Sequence, residues 1–168
     1  MMEFAPSYPA DKPTLYPLLA QQLRAVTAEE RLVTPNLANG AALLFAALAD
    51  INWAGFYLMR EGELVLGPFQ GKTACIRIQP GRGVCGTAVQ QDETQLVEDV
   101  HLFPGHIACD SASNSEIVIP LHSGGQVVGV LDIDSPLFAR FDQTDRAGLE
   151  AFARILEEAC DWPAYRLL

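Results

Sequence analysis

Cys109 is the residue in this sequence whose surroundings suit it least as a packing residue. It lies in FPGHIACDSASNSEIVIPL, residues 103–121, among Ser, Asn, Asp and Gly, whereas cysteine more often packs as a small hydrophobe. His106 precedes it, Asp110 follows it, and Glu116 comes just before an apolar run. A free thiol has a pKa of about 8.5, and each unit of lowering is worth about 1.4 kcal/mol. Loop N–H groups and a nearby imidazole are suited to that lowering, so Cys109 is a candidate nucleophile. Cys75, in GKTACIRI, sits beside Lys72 and Arg77, and Cys85, in GRGVCGTA, follows two glycines near a possible helix start. Either of these is as consistent with packing as with reactivity. Cys160 falls on the apolar stripe of the last helix and reads as a core residue.

The same donors could in principle hold zinc, since Cys75, Cys85, Cys109, His101 and His106 offer enough ligand atoms. The paired C-x2–4-C knuckle of structural zinc sites is missing, and HLFPGH is not the His-Glu-x-x-His pattern of metalloproteases. No metal is therefore expected. Asp132 and Asp134, in LDIDSP, lie two residues apart and point to one face of a strand. Two carboxylates on a half-buried face repel and lose hydration unless a cation satisfies them, and an ammonium group is one such cation. The alternative is structural: Asp134 caps the turn into Ser135-Pro136 while Asp132 meets a backbone donor. Glu116 joins the pair only in one strand register. A two-residue turn at Gly124-Gly125 sets it opposite Ile133, on the other face; a longer loop or a bulge sets it opposite Asp134. Trp53 and Tyr57 share parity on a strand candidate and could form an aromatic wall, although a core role is the default for both.

The elements that must position these groups follow from periodicity. Lys12–Glu30 reads as a helix despite Pro17, and residues 36–50 as a second, with Asn36 as its cap. Residues 51–59 and the LVLGPF run form a hairpin about REGE, and CIRI, residues 75–78, a short strand. Residues 81–93 suit a short helix, and TQLVEDV an edge strand. SEIVIPLH and QVVGVLDIDS pair about Ser123-Gly124-Gly125, and FDQTDRAGLEAFARILEEACDW is a long closing helix with Asp142 or Thr144 near its cap. This pattern predicts an α+β domain. Its central antiparallel sheet carries the N- and C-terminal helices on one face and the loops between residues 70 and 115 on the other.

The totals narrow the function. A chain of 168 residues favours a single domain spanning 1–168. The net charge of −10 leaves no basic stripe to replace counterions, so nucleic acid is not expected as a partner, nor an anionic membrane. No apolar run is long enough to cross a bilayer, and MMEFAPSYPADKP lacks the basic and apolar regions of a secretory signal. The expected location is the cytoplasm, where stable disulfides are rare and cysteines read as core, metal-binding or redox-active.

NWAGFY, LGPFQGKTACIRI, GRGVCGTA, DVHLFPGHIACDSASNSEIVIPL and GVLDIDSP with its following FD together resemble the free methionine-(R)-sulfoxide reductases, which are single GAF domains. The resemblance runs from about residue 52 to residue 150. It implies reduction of free L-methionine-(R)-sulfoxide, with thioredoxin as external reductant, no metal or organic cofactor, and a part in the response to oxidative stress. It implies Cys109 as nucleophile, Cys75 as principal resolving thiol and Cys85 as a third thiol able to form an alternative disulfide. It further assigns Trp53 and Tyr57 to the pocket wall, and Glu116, Asp132 and Asp134 to an acidic substrate-binding set whose members converge. Family members are often homodimers. The competing expectation is a non-catalytic GAF module that binds a small ligand and signals; such modules usually belong to longer chains, and this cysteine set would be idle in one.

Overall fold

A computed structural model describes residues 7–106 and 111–166. Its centre is a six-stranded sheet in the order β3-β2-β1-β6-β5-β4, with every adjacent pair antiparallel. The strands are β1 Trp53–Arg60, β2 Glu63–Gly71, β3 Arg77–Ile78, β4 Gln95–Val97, β5 Ser115–Ser123 and β6 Gln126–Ser135. Helices α1 Lys12–Thr27, α2 Val33–Ala47 and α4 Gln143–Ala159 cover one face. Helix α3, Gly83–Gln91, and its flanking loops cover the other. The expected α+β layering is what forms.

Alternation along the central strands divides the side chains between two cores. Ala54, Phe56, Leu58, Ile117, Ile119, Leu131 and Ile133 face the helices, joining Leu19, Leu23, Leu37, Leu44, Phe152 and Leu156. Trp53, Tyr57, Val118 and Val130 face α3, with Val84, Cys85 and Ala88. Fully burying a Leu, Ile or Phe is worth about 1.5–3 kcal/mol, so the larger helix-side cluster supplies most of the hydrophobic stabilisation.

Several element boundaries differ from the sequence reading. Asn36 does not cap α2: it is buried inside the helix, where its Nδ2 donates to the Glu30 carbonyl at 3.0 Å. The chain turns into α2 through the Glu30 carboxylate, which accepts the Leu32 N–H at 2.7 Å. The strand expected at residues 75–78 shortens to Arg77–Ile78, leaving Cys75 in a loop. The closing helix stops at Ala159, because Asp161 N–H donates to the Arg31 carbonyl at 2.7 Å, and a short α5, Trp162–Arg166, follows. A turn of 3-10 helix over Val100–Leu102 had no sequence signal.

One buried carboxylate ties the chain's two ends together. Asp142 caps α4 by accepting the Thr144 and Asp145 N–H groups, and Asp145 returns a bond to the Asp142 N–H. Asp145 is fully buried and also accepts from Lys12 Nζ at 2.6 Å and Tyr16 Oη at 2.7 Å, both on α1. The helices meet closely because Gly148 has no side chain: a Cβ there would lie 2.1 Å from the Tyr16 ring. Asp145→Ala leaves Tyr16 without its acceptor and Lys12 with Asp142 alone, and is expected to cost about 1–3 kcal/mol, read by urea denaturation. A loss under about 1 kcal/mol would show that this clasp does not hold α1 on α4.

Candidate active site

The pocket lies on the α3 side of the sheet. Its floor is set by strand register. In the β1–β6 ladder Trp53 pairs with Asp134 and Gly55 with Asp132; in the β5–β6 ladder Glu116 pairs with Asp134 and Val118 with Asp132. All three acids therefore share a face with Trp53 and Tyr57. The register left open by the sequence is decided by two features together. The hairpin turn has two residues, Gly124 and Gly125, both with positive φ, at 59° and 74°. That turn alone would place Glu116 opposite Ile133. A bulge facing Leu121 and His122, where β6 carries the extra residue Val128, moves Glu116 opposite Asp134.

The wall is aromatic. Trp53 stacks on Tyr57 with centroids 5.9 Å apart and on Phe69 at 5.2 Å. Gly55 makes room for this stack, since a Cβ there would lie 2.7 Å from the Trp53 ring and 2.3 Å from Phe69. Each ring is anchored by its polar end: Trp53 Nε1 donates to the Lys72 carbonyl at 3.1 Å, and Tyr57 Oη to the Cys75 carbonyl at 3.0 Å. The second bond fixes the backbone of Cys75, which is half-buried beside the pocket.

Cys85 sits in the first turn of α3, buried, with Sγ 3.9 Å from Glu116 Oε1. Gly86 lets this turn close onto the preceding loop, because a Cβ there would meet the Gln79 carbonyl oxygen at 2.3 Å. Glu116 and Asp132 are also buried, and Asp132 Oδ1 has no hydrogen-bond partner among the described residues. Asp134 is half-buried at the edge of the same group. Burial holds the Glu116 carboxyl far above the usual range, reinforced by the charges of Asp132 and Asp134. Burial raises Asp132 as well, and burial with the neighbouring carboxylates raises the Cys85 thiol. His106 lines the cavity with Nε2 4.0 Å from Glu116 Oε2, and burial, then His101, lowers its pKa toward the neutral imidazole. The floor is thus a set of protic groups that favour their uncharged forms and would gain from an incoming cation.

The structure brings together Trp53, Tyr57, Cys85, Glu116, Asp132, Asp134 and His106, with Cys75 alongside. Cys109 lies outside the described residues. His101 does not join the site: its Nε2 is 2.9 Å from Asn114 Oδ1 and its ring rests near Phe138. Cys160 is buried on the helix side, 3.6 Å from Asn36 Nδ2, as its helical stripe implied. Thr73, Arg82, Val84 and Ser113 also line the cavity and were not singled out by sequence. For Arg82 a signal existed in its GRGVCG setting at the start of α3; the others become neighbours only through the fold.

A sheet with helices on one face and a ligand-sized pocket under loops on the other defines the GAF class, and a GAF domain family profile matches residues 41–161. The relatives narrow the class. A free methionine-R-sulfoxide reductase of Escherichia coli is 53% identical over 93% of this chain and 94% of its own. Protein YtsP of Bacillus subtilis is 55% identical over 89% of this chain and 93% of its own. The free methionine-R-sulfoxide reductase of Neisseria meningitidis, solved in complex with its substrate, superposes with a TM-score of 0.88 at 47% identity, covering 96% of both chains. The chain belongs to the free methionine-R-sulfoxide reductase family of GAF domains.

The crowded acids have a measurable consequence. Between the ordinary carboxyl pKa of about 4.3 and its raised folded value, Glu116 keeps a proton that the unfolded chain has lost. The folded state then binds more protons, so stability falls as pH rises through that window, by up to about 1.4 kcal/mol per unit. Glu116→Gln should flatten this slope to the smaller part contributed by the raised Asp132 carboxyl, matching wild type near pH 4 and being more stable than it at pH 7 in urea titrations at fixed thiol redox state. A variant no more stable than wild type at pH 7 would refute the buried, proton-holding carboxyl.

Proposed function

We propose that this protein reduces free L-methionine-(R)-sulfoxide to methionine and is recycled by a dithiol protein of the thioredoxin class. The observation that carries this reading is the convergence of Glu116, Asp132 and Asp134 beneath the Trp53–Tyr57 wall. Its relatives in Escherichia coli and Saccharomyces cerevisiae are named for the same activity.

The floor suits a zwitterionic amino acid. Asp132 Oδ1, buried and unpartnered, is placed to accept an α-ammonium, with Asp134 completing the negative pole. The Trp53 and Tyr57 rings offer the sulfoxide methyl an apolar surface. A methionine within a polypeptide has an uncharged amide in place of the ammonium. It would leave the buried carboxyls unsatisfied, a mismatch that discriminates strongly against it.

In the chemical step, Cys109 Sγ bonds to the sulfoxide sulfur while protonated Glu116 delivers a proton to the sulfoxide oxygen. Of the two acids that could donate, Glu116 is favoured because burial and two neighbouring carboxyls keep it protonated. The thiol proton lets that oxygen leave as water as the S–O bond breaks, giving a Cys109–substrate sulfonium; water then attacks Cys109 Sγ, the new S–S bond breaks, methionine departs as the thioether and a proton is released, so thiol plus sulfoxide become sulfenic acid plus thioether overall. The Cys75 thiolate then displaces the sulfenic oxygen as water and a disulfide forms. An external dithiol supplies the two electrons that restore both thiols. This division of labour is supported by Cys75 being disulfide-bonded while Cys85 and Cys160 are free. Cys85, buried and held as a thiol, suits the pocket floor better than the resolving step.

Purified protein is expected to oxidise NADPH through thioredoxin and its reductase when given the free (R)-epimer, and at least about a hundredfold more slowly with the (S)-epimer or with a peptide sulfoxide. Cys109→Ser should yield no methionine even in a single turnover. Cys75→Ser should complete one turnover and then recycle slowly. Equal rates on peptide and free substrate would remove the role given to the carboxyls, and product from Cys109→Ser would remove the nucleophile.

A further inference from the structure

We propose that the pocket floor is also a binding site for a thiophilic divalent cation of the zinc class, held by Cys85, Glu116 and Asp132. Their ligand atoms all lie within 4.8 Å of one another, and all three residues are buried. They come from α3, β5 and β6, three packed elements rather than one mobile loop. Cys85 Sγ and Glu116 Oε1 are 3.9 Å apart. Zinc binds sulfur at about 2.3 Å and carboxylate oxygen at about 2.0–2.2 Å, so tetrahedral ligands sit roughly 3.5 Å apart and only a small contraction is needed. His106 Nε2 lies outside this set, 4.0 Å from Glu116 Oε2, so the protein offers three ligands and leaves a fourth position for water.

Two independent features point to a cation here. Asp132 Oδ1 is buried and has no hydrogen-bond partner among the described residues, so the carboxyl keeps an oxygen free for a ligand beside the one that meets Glu116 and Cys85. The donor set is also selective. One sulfur and two carboxylates suit zinc or cadmium, whereas calcium and magnesium take oxygen ligands. Binding is not a redox step: the metal replaces the Cys85 thiol proton and the proton held by the carboxyl pair, and these pass to solvent.

Metal and substrate would claim the same carboxyls, so the cation excludes an α-ammonium. The resulting inhibition rests on the reductase reading; the binding itself does not. The site differs from the cysteine and histidine set suggested by sequence, because Cys75 and His101 take no part in it.

The test uses the full-length Cys75→Ser/Cys109→Ser protein, in which Cys85 is the remaining pocket thiol and catalysis is absent by construction. Titration with cadmium should give a thiolate-to-metal ultraviolet absorption band that saturates at one equivalent. Zinc, measured against a chromophoric chelator, should bind at the same stoichiometry, and free methionine should raise its apparent Kd in proportion to concentration. Adding Cys85→Ser should abolish the band and weaken zinc at least about tenfold. Glu116→Gln in the two-serine background should weaken zinc to a similar degree, and carries the comparison if the triple variant does not fold. No band in the two-serine protein, a band that survives Cys85→Ser, or zinc affinity indifferent to both Glu116→Gln and methionine would each overturn the proposal. None of these readouts depends on turnover, so failure of the reductase assay and failure of the metal site are separately visible.

Discussion

The site depends on one extra residue in β6, Val128. The bulge facing Leu121 and His122 shifts the β5–β6 ladder so that Glu116 faces Asp134 rather than Ile133. Because side chains alternate with a period of two, a slip of one residue would send Glu116 into the helix-side core, among Leu131, Ile133 and Phe152. A carboxyl there would have neither water nor an acidic partner with which to share a proton. The bulge is held in turn by His122, whose backbone N–H donates to Glu157 Oε1 at 2.7 Å. The two ring nitrogens of His122 meet Glu157 at 3.0 Å and Asp92 at 2.6 Å, which links α4 and the end of α3 to the bend.

That constraint explains the division of the molecule into two faces of unequal character. Buried carboxyls that repel one another lower stability, and the α3 side carries two of them beside a thiol, with Asp134 half-buried at their edge. The helix side carries the compensating burial, together with the Asp145 clasp that closes α1 onto α4. The sheet lets the destabilised face be rigid, because each acid is fixed on a strand whose other face is locked in the larger core. Rigidity matters here: a carboxyl that could swing into water would lose the raised pKa that burial imposes.

The parity of Trp53 with Tyr57, and of Asp132 with Asp134, was legible because alternation is a local property, and so was the helical stripe of Leu149, Phe152 and Leu156. The position of Glu116 was not, since the bulge is stabilised by Glu157 and Asp92, 35 and 30 residues distant from His122 in sequence. Helix ends failed for a similar reason. Asn36 looks like a cap, yet the Glu30 backbone captures its side chain, and the closing helix breaks where the Arg31 carbonyl takes the Asp161 N–H. Cys75 read as a strand residue because CIRI is β-rich; its loop is instead set by the Tyr57 hydroxyl reaching across from β1. Local chemistry announced which residues were unusual, and long-range hydrogen bonds decided where they stand.

The two roles argued for the floor follow from the same electrostatic fact. Glu116, Asp132 and Cys85 are each pushed toward the protonated form by burial, so the pocket carries less negative charge than the same groups would in water. An arriving cation changes that balance. An α-ammonium at Asp132 would stabilise that carboxylate, and a charged Asp132 in turn helps Glu116 keep its proton, the condition a general acid requires. A divalent metal has twice the charge and binds thiolate, so it would displace both the Cys85 proton and the one the carboxyl pair holds, and leave no acid. On the reductase reading, one positive charge therefore arms the site and two disarm it. The difference lies in how many protons the floor must release to accept the ligand.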